Sequence, residues 1–132
     1  MIGDLAEWSN KVELADIDAD DDVDILIANG GDYETPGTPV LSRVLVNDGS
    51  GSFTDRSIDV LGDSPGLARV IKARDVDGDG RVDIVIGNTY QTQTRLLLGR
   101  GGLEFEDVTG THLPAAPASV GDLEIGDVDA DG

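Results

Sequence analysis

Aspartates stand at every second position of Asp16-Ile17-Asp18-Ala19-Asp20-Asp21-Asp22-Val23-Asp24. The arrangement returns in Asp75-Val76-Asp77-Gly78-Asp79-Gly80-Arg81-Val82-Asp83, and begins again at Asp127-Val128-Asp129-Ala130-Asp131-Gly132. Carboxylates crowded at this spacing in a tight loop suit one task, the binding of a hard cation. Ca2+ takes six to eight oxygen ligands, and side chains at loop positions 1, 3 and 5 can be joined by a backbone carbonyl at position 7 and a later acid. The first loop then offers Asp16, Asp18, Asp20, the carbonyl of Asp22, and Asp24. The second offers Asp75, Asp77, Asp79, the carbonyl of Arg81, and Asp83. Gly80 permits a sharp turn at position 6, and Asp21, at the same place in the first loop, tolerates such a backbone better than most residues. Asp127, Asp129 and Asp131 alone make an incomplete shell. The EF-hand does not fit, because its position 12 requires an acid and here falls on Ile27 and Ile86.

The composition narrows the remaining chemistry. The 132 residues carry 27 acidic and 9 basic side chains, a formal charge of −18. Such a chain is repelled by nucleic acids and by anionic membrane surfaces. There is no cysteine and one histidine, His112, so thiol chemistry is excluded and a Ser-His-Asp triad has little to work with. With so many acids, a glycosidase-like pair of carboxylates arises by chance and carries no information. His112 reads as a loop residue. Arg43 and Arg95 recur at one strand position and read as partners of neighbouring acids, with recognition of an anionic ligand as the sharper reading. Trp8 reads as packing or terminal. No apolar run approaches a membrane span, and the acidic first seven residues do not read as a signal peptide.

The elements that must position the aspartates are short strands. Residue 75 follows residue 16 by 59 positions, whereas Arg43-Val44-Leu45-Val46 and Phe53-Thr54-Asp55 recur 52 positions on, as Arg95-Leu96-Leu97-Leu98 and Phe105-Glu106-Asp107. The difference of seven falls in the Gly/Pro/Thr-rich stretch 30–39, which reads as a surface loop. Each repeat thus holds four strands. Strand A carries Val12 and Leu14, Ile71 and Ala73, or Leu123 and Ile125. Strand B covers 24–28 and 83–87, strand C 43–46 and 95–98, and strand D lies around 53–55 and 105–108. The β-branched density of strand B predicts burial on both faces. Helix is not expected, because no long 3.6-residue period occurs and 18 glycines interrupt the chain.

Four strands per ~50 residues is the size of a β-propeller blade. The fold expected is all-β, built of four-stranded antiparallel blades, about two and a quarter per chain: blade 1 over about 10–61, blade 2 over about 67–113, and the start of blade 3 over about 118–132.

The segments DIDADDDVDILIANGG and DVDGDGRVDIVIGN, the terminal DVDADG and the companion VLVNDGSGSFTD resemble the FG-GAP/VCBS repeats of bacterial surface proteins and of the integrin α-subunit propeller. Ile-Gly-Asn and Ile-Ala-Asn-Gly stand where the strict Phe-Gly and Gly-Ala-Pro signatures would. The resemblance implies calcium in the loop joining the first two strands of a blade. It also implies an extracellular, non-enzymatic adhesion or scaffold role. Each loop is expected to bury its own ligands, so that calcium is structural. The partner expected is a protein or a glycan, with no insertion into a membrane, and the chain is expected to form a homo-oligomer or part of a longer array. The alternatives are a lectin-like propeller using Tyr33 and Tyr90 of the B–C loops and, behind it, a lyase or hydrolase domain.

Overall fold

A computed structural model describes residues 7–31, 34–115 and 118–127. Two four-stranded sheets follow one another along the chain. The first contains β1 (Ser9–Ala15), β2 (Asp24–Asn29), β3 (Arg43–Asn47) and β4 (Phe53–Asp55) in that spatial order. A single-turn helix, α1 (Ser57–Leu61), leads to the second sheet, which contains β5 (Ala68–Arg74), β6 (Asp83–Asn88), β7 (Arg95–Gly101) and β8 (Glu104–Asp107) in order. A second short helix, α2 (Thr109–His112), follows. Every neighbouring pair is antiparallel.

The expectation of a chain without helix is corrected. One helical turn is too short to show a 3.6-residue period, and both turns start from the same local device. Asp55 Oδ1 accepts the backbone N–H of Ser57 at 3.0 Å, and the Ser57 hydroxyl accepts Val44 N–H at 3.0 Å. Asp107 and Thr109 repeat both bonds, the second one with Leu96 N–H. His112 closes α2 instead of lying in a loop.

Cross-strand partners share a face of a sheet. The pairs Glu13–Leu26 and Leu26–Val44 therefore put Leu26, Val44 and, two residues on, Ala28 on one face of the first sheet. The pairs Ile71–Ile86, Ala73–Ile84 and Ile84–Leu97 define the opposing face of the second sheet. These residues are buried and pack together with Val60 and Leu61 of α1 in a core between the sheets. Fully burying each Leu, Ile or Val among them contributes about 1.5–3 kcal/mol. Polar latches flank the core: Asn10 Nδ2 donates to Ala68 O and Arg69 Nη1 donates to Asn10 Oδ1, both at 2.8 Å.

The outward faces differ. On the first sheet, Val12 and Leu14 stand 54 % and 59 % exposed on the face they share with Ile25 and Ile27. Trp8, read as packing or terminal, does not pack: it is 67 % exposed just before β1. On the second sheet, residues 118–127 lie over the corresponding region. A Cβ on Gly87 would come within 2.7 Å of Val120 Cγ1 and 3.2 Å of Leu123 Cδ2, so the absence of a side chain there lets the segment approach. That segment does not form the third strand A expected at Leu123 and Ile125. A strand is completed by ladder bonds to a neighbour, and no strand B pairs with it among the described residues. Val120 N–H instead bonds Asn88 O at 2.9 Å.

Candidate metal centre

The two acidic loops join β1 to β2 and β5 to β6, and line one cleft from opposite sides, with Asp16 and Asp18 facing Gly80 and Arg81. Each loop winds round its first aspartate. Asp16 Oδ1 accepts the N–H groups of Ala19 (2.8 Å) and Asp20 (3.2 Å), and its Oδ2 accepts that of Asp21 (3.0 Å). Asp75 does the same with Gly78 and Gly80, both at 2.8 Å. The winding needs left-handed backbone twice per loop, at Ala19 (φ 65°) and Asp21 (φ 71°) and again at Gly78 (φ 76°) and Gly80 (φ 84°). The need for position 6 was readable from Gly80; that for position 4 was signalled only by Gly78.

The closing aspartates have a second task that sequence reasoning missed. Asp24 Oδ2 accepts Ile17 N–H (3.0 Å) and Oδ1 accepts Asn47 N–H (2.9 Å), so one carboxylate ties the loop to the end of β3. Asp83 likewise accepts Val76 N–H and Gly99 N–H, both at 2.8 Å. Both residues are 0 % exposed. The remaining spare lone pairs of each carboxylate still face the loop, because an ionised carboxyl group has about four acceptor sites.

The loops bring together three of the expected ligands in each copy. One carboxylate oxygen from each of Asp16, Asp18 and Asp24 lies within 4.8 Å of the others, and the same holds for Asp75, Asp77 and Asp83. Asp20 and Asp79 stand outside these triads. Asp20 Oδ1 accepts Asp22 N–H, while Asp79 accepts Arg81 N–H and pairs with the Arg81 guanidinium at 2.6 Å. Asp22 and Arg81 were expected to contribute carbonyls; their position 7 places them at the exit of the loop, before β2 and β6. Asp127 is exposed, and Asp129, Asp131 and Tyr33 lie outside the described residues. Tyr90 is half-buried after β6, in left-handed backbone (φ 51°).

The expectation that each loop buries its ligands holds only for Asp24 and Asp83; Asp16 and Asp18 are half-buried, and Asp75 and Asp77 are exposed. The reason is the winding itself, which spends backbone N–H groups on Asp16 and Asp75 at the surface. Asp18 Oδ1 nevertheless is sealed from solvent and has no hydrogen-bond partner among the described residues. Burial first, then the charges of Asp20, Asp24 and Asp16, push the Asp18 carboxyl above the usual carboxylate range. In the second loop Asp79 moves the other way, held low by the Arg81 N–H and guanidinium. A buried, unpartnered carboxylate oxygen among like charges is the chemistry that a cation relieves, so the donor set fits a hard divalent ion.

A repeated pair of four-stranded antiparallel sheets, each opening on an acidic loop, defines an all-β repeat protein. The family model for the FG-GAP-like repeat matches residues 16–86 and 75–132. The chain belongs to that family. No match was found among curated proteins.

Proposed function

We propose that the chain is a calcium-binding β-propeller repeat module that serves outside the cell as an adhesion-type structural scaffold without enzymatic activity. Each four-stranded sheet is then a blade, and calcium is the ion of the loop between its first two strands. The observation that carries the reading is the twice-made carboxylate triad, with Asp18 Oδ1 left unpartnered in one of them. Three hard oxygens, further acids within the same loop and the absence of any sulfur or imidazole donor there favour Ca2+ over a transition metal. Millimolar extracellular calcium suits sites of modest affinity. The ion's task is structural: Asp24 and Asp83 each hold the start of the loop and a backbone N–H of the third strand at once, so an ion held by them fixes blade geometry. Among the described residues no helix is long and apolar enough to cross a membrane.

Calorimetric titration of chelator-treated protein with Ca2+, and in parallel with Mg2+, tests the proposal. Two sites of comparable affinity, with Mg2+ much weaker, are expected. Absence of calcium heat, together with a melting temperature indifferent to calcium, would overturn it.

A further inference from the structure

The two repeats place an identical arginine and asparagine in the same positions but surround them differently. In the first repeat, Arg43 donates through Nε and Nη2 to the carboxylate of Glu7 and through Nη1 to Asp55. Asn29 Nδ2 donates to that same Glu7 carboxylate at 2.7 Å and to Leu41 O, while Asn29 Oδ1 accepts the Ser9 hydroxyl at 2.9 Å. In the second repeat the positions of Arg43, Asp55, Asn29 and Leu41 are taken by Arg95, Asp107, Asn88 and Gln93. Those of Glu7 and Ser9 fall to Gly66 and Ala68. The carboxylate and the hydroxyl are both missing.

What is left is a cavity of about 290 Å3, lined by Gly66, Asn88, Gln93 and Arg95 among others. Arg95 and Asp107 are the charged residues among those lining it. Arg95 still pairs with Asp107, at 2.7 Å, but where Arg43 serves two carboxylates, Arg95 serves one and gives a further bond to Leu61 O. Among the described residues neither Nη1 hydrogen of Arg95 has an acceptor. Asn88 Nδ2 donates to Gln93 O at 2.8 Å, as Asn29 does to Leu41 O, and its other hydrogen has no acceptor among the described residues. Asn88 Oδ1 has no hydrogen-bond partner among the described residues, and the residue is only 2 % exposed. That oxygen is an acceptor and lacks the hydroxyl that Ser9 supplies in the first repeat; the groups that an anionic acceptor would satisfy are the leftover donors, Arg95 Nη1 and Asn88 Nδ2.

We infer that the Gly66–Asn88–Arg95 cavity is a binding site for the carboxylate of a short aliphatic acid, which takes the place that the Glu7 side chain fills in the first repeat. Arg95 Nη1 supplies a permanently charged donor, its Nε and Nη2 being engaged by Asp107 and Leu61 O, and Asn88 Nδ2 supplies a neutral one, a combination that favours a carboxylate by charge. Asp107 takes the Nε–Nη2 edge of Arg95 and leaves Nη1 to a second acid, the reverse of the division by which Arg43 gives Nη1 to Asp55 and its other edge to Glu7. Leu61 and Ile86 supply the apolar wall against which the methylenes lie. The volume admits a ligand of glutamate size. That carboxylate belongs either to a free acid or to a glutamyl side chain presented by a protein.

The test is an NMR titration of the 15N-labelled 132-residue chain in calcium, with glutarate as the free acid and N-acetylglutamate amide as the side-chain mimic. Saturable shifts at the amides of Gly66, Gln93, Arg95 and Thr109 are expected for at least one probe, and which of the two binds more tightly identifies the source. Arg95→Gln should weaken binding tenfold or more. Asp107→Asn, which relieves the competing acid, should tighten it several-fold. Gly66→Ala, whose added Cβ would sit 2.8 Å from Asn88 Oδ1, should weaken it without any change of charge. Glutaramide, which lacks the charge, should leave the spectrum unchanged. Silence of both probes at tens of millimolar, equal binding of glutaramide, or an affinity unaltered in both Arg95→Gln and Asp107→Asn overturns the inference. The neutral-probe and Asp107→Asn arms decide the matter even if Arg95→Gln fails to fold.

Discussion

Glu13 and Lys72 occupy the same position of successive repeats and face each other across the sheet interface, with Lys72 Nζ 3.6 Å from the Glu13 carboxylate. The third equivalent position holds Glu124, which Lys72 also reaches, at 3.1 Å. The sign of the charge alternates along the three copies, so each neighbour is an opposite. The hydrogen bond to Glu124 first, and the Glu13 charge against the cost of burial, hold the Lys72 ammonium above its usual range. Lys72→Gln should lower the melting temperature, and so should Glu13→Gln. In the double variant the loss should be smaller than the sum, because the second change cannot break again the Glu13–Lys72 pair that the first has already broken. A strictly additive double-variant cycle, read by thermal denaturation, would contradict the pairing.

Chelation should destabilise the chain. At calcium a hundredfold above the dissociation constant, one site binding only the folded form contributes about 2.7 kcal/mol. Asp18→Asn and Asp77→Asn should each remove the contribution of their own loop and leave that of the other. Thermal melts with calcium and with excess chelator check this, and a full calcium response in both variants would refute the ligand assignment.

The closing aspartates should matter with or without the ion. Asp24→Ala deprives the N–H groups of Ile17 and Asn47 of their acceptor, and Asp83→Ala those of Val76 and Gly99. An unsatisfied buried donor costs about 1–3 kcal/mol, so each variant should lose a few kcal/mol even in chelator. Asp18→Asn should not lose stability there. Denaturant titration in chelator separates the two kinds of aspartate.

The pH response of the chelated chain follows from the same loop. The Asp18 carboxyl is raised in the folded state, by burial and then by Asp20, Asp24 and Asp16. A carboxyl raised on folding favours the folded form while it is protonated in both states, and that favour is lost as pH rises through its folded value. The chelated chain should therefore gain melting temperature as pH falls from neutrality toward the carboxylate range, before general acid loss sets in. Saturating calcium or Asp18→Asn should flatten the gain.

Ala19 pays for the geometry of position 4, at φ 65° where its counterpart is Gly78. A left-handed alanine costs roughly 1–2 kcal/mol, part of which glycine returns through its freer unfolded chain. Ala19→Gly should stabilise the first loop by about 0.5–1 kcal/mol, measured by equilibrium unfolding, whereas Gly78→Ala should cost a similar amount.

Much of the architecture was legible because it is written twice. The alternation of Val12 and Leu14, the dense run from Ile25 to Ala28 and the recurrence of Arg43 as Arg95 placed the strands to within a few residues. The helical turns escaped because a single turn has no period to detect, although Asp55-Arg56-Ser57 and Asp107-Val108-Thr109 repeat in register. In the loops, spacing named the acids but did not distinguish their labour. Nothing in a row of aspartates says that Asp24 clamps two backbone segments while Asp20 turns to its own neighbour. Those roles depend on where Asn47 returns, twenty-three residues on. The gap at Gly66 was illegible for a related reason: a missing carboxylate becomes visible only beside the copy that keeps it.

The uncovered strip of Val12 and Leu14 has a consequence for the molecule in solution. These residues match Ile71 and Ala73, which are sealed inside the core, and the shared negative charge of −18 opposes the meeting of such strips on separate molecules. Every calcium ion taken up in the proposed role subtracts two of those charges while it tightens the loop. The ion that firms each molecule thus also lowers the barrier between molecules, and colloidal and conformational stability respond to calcium with opposite signs.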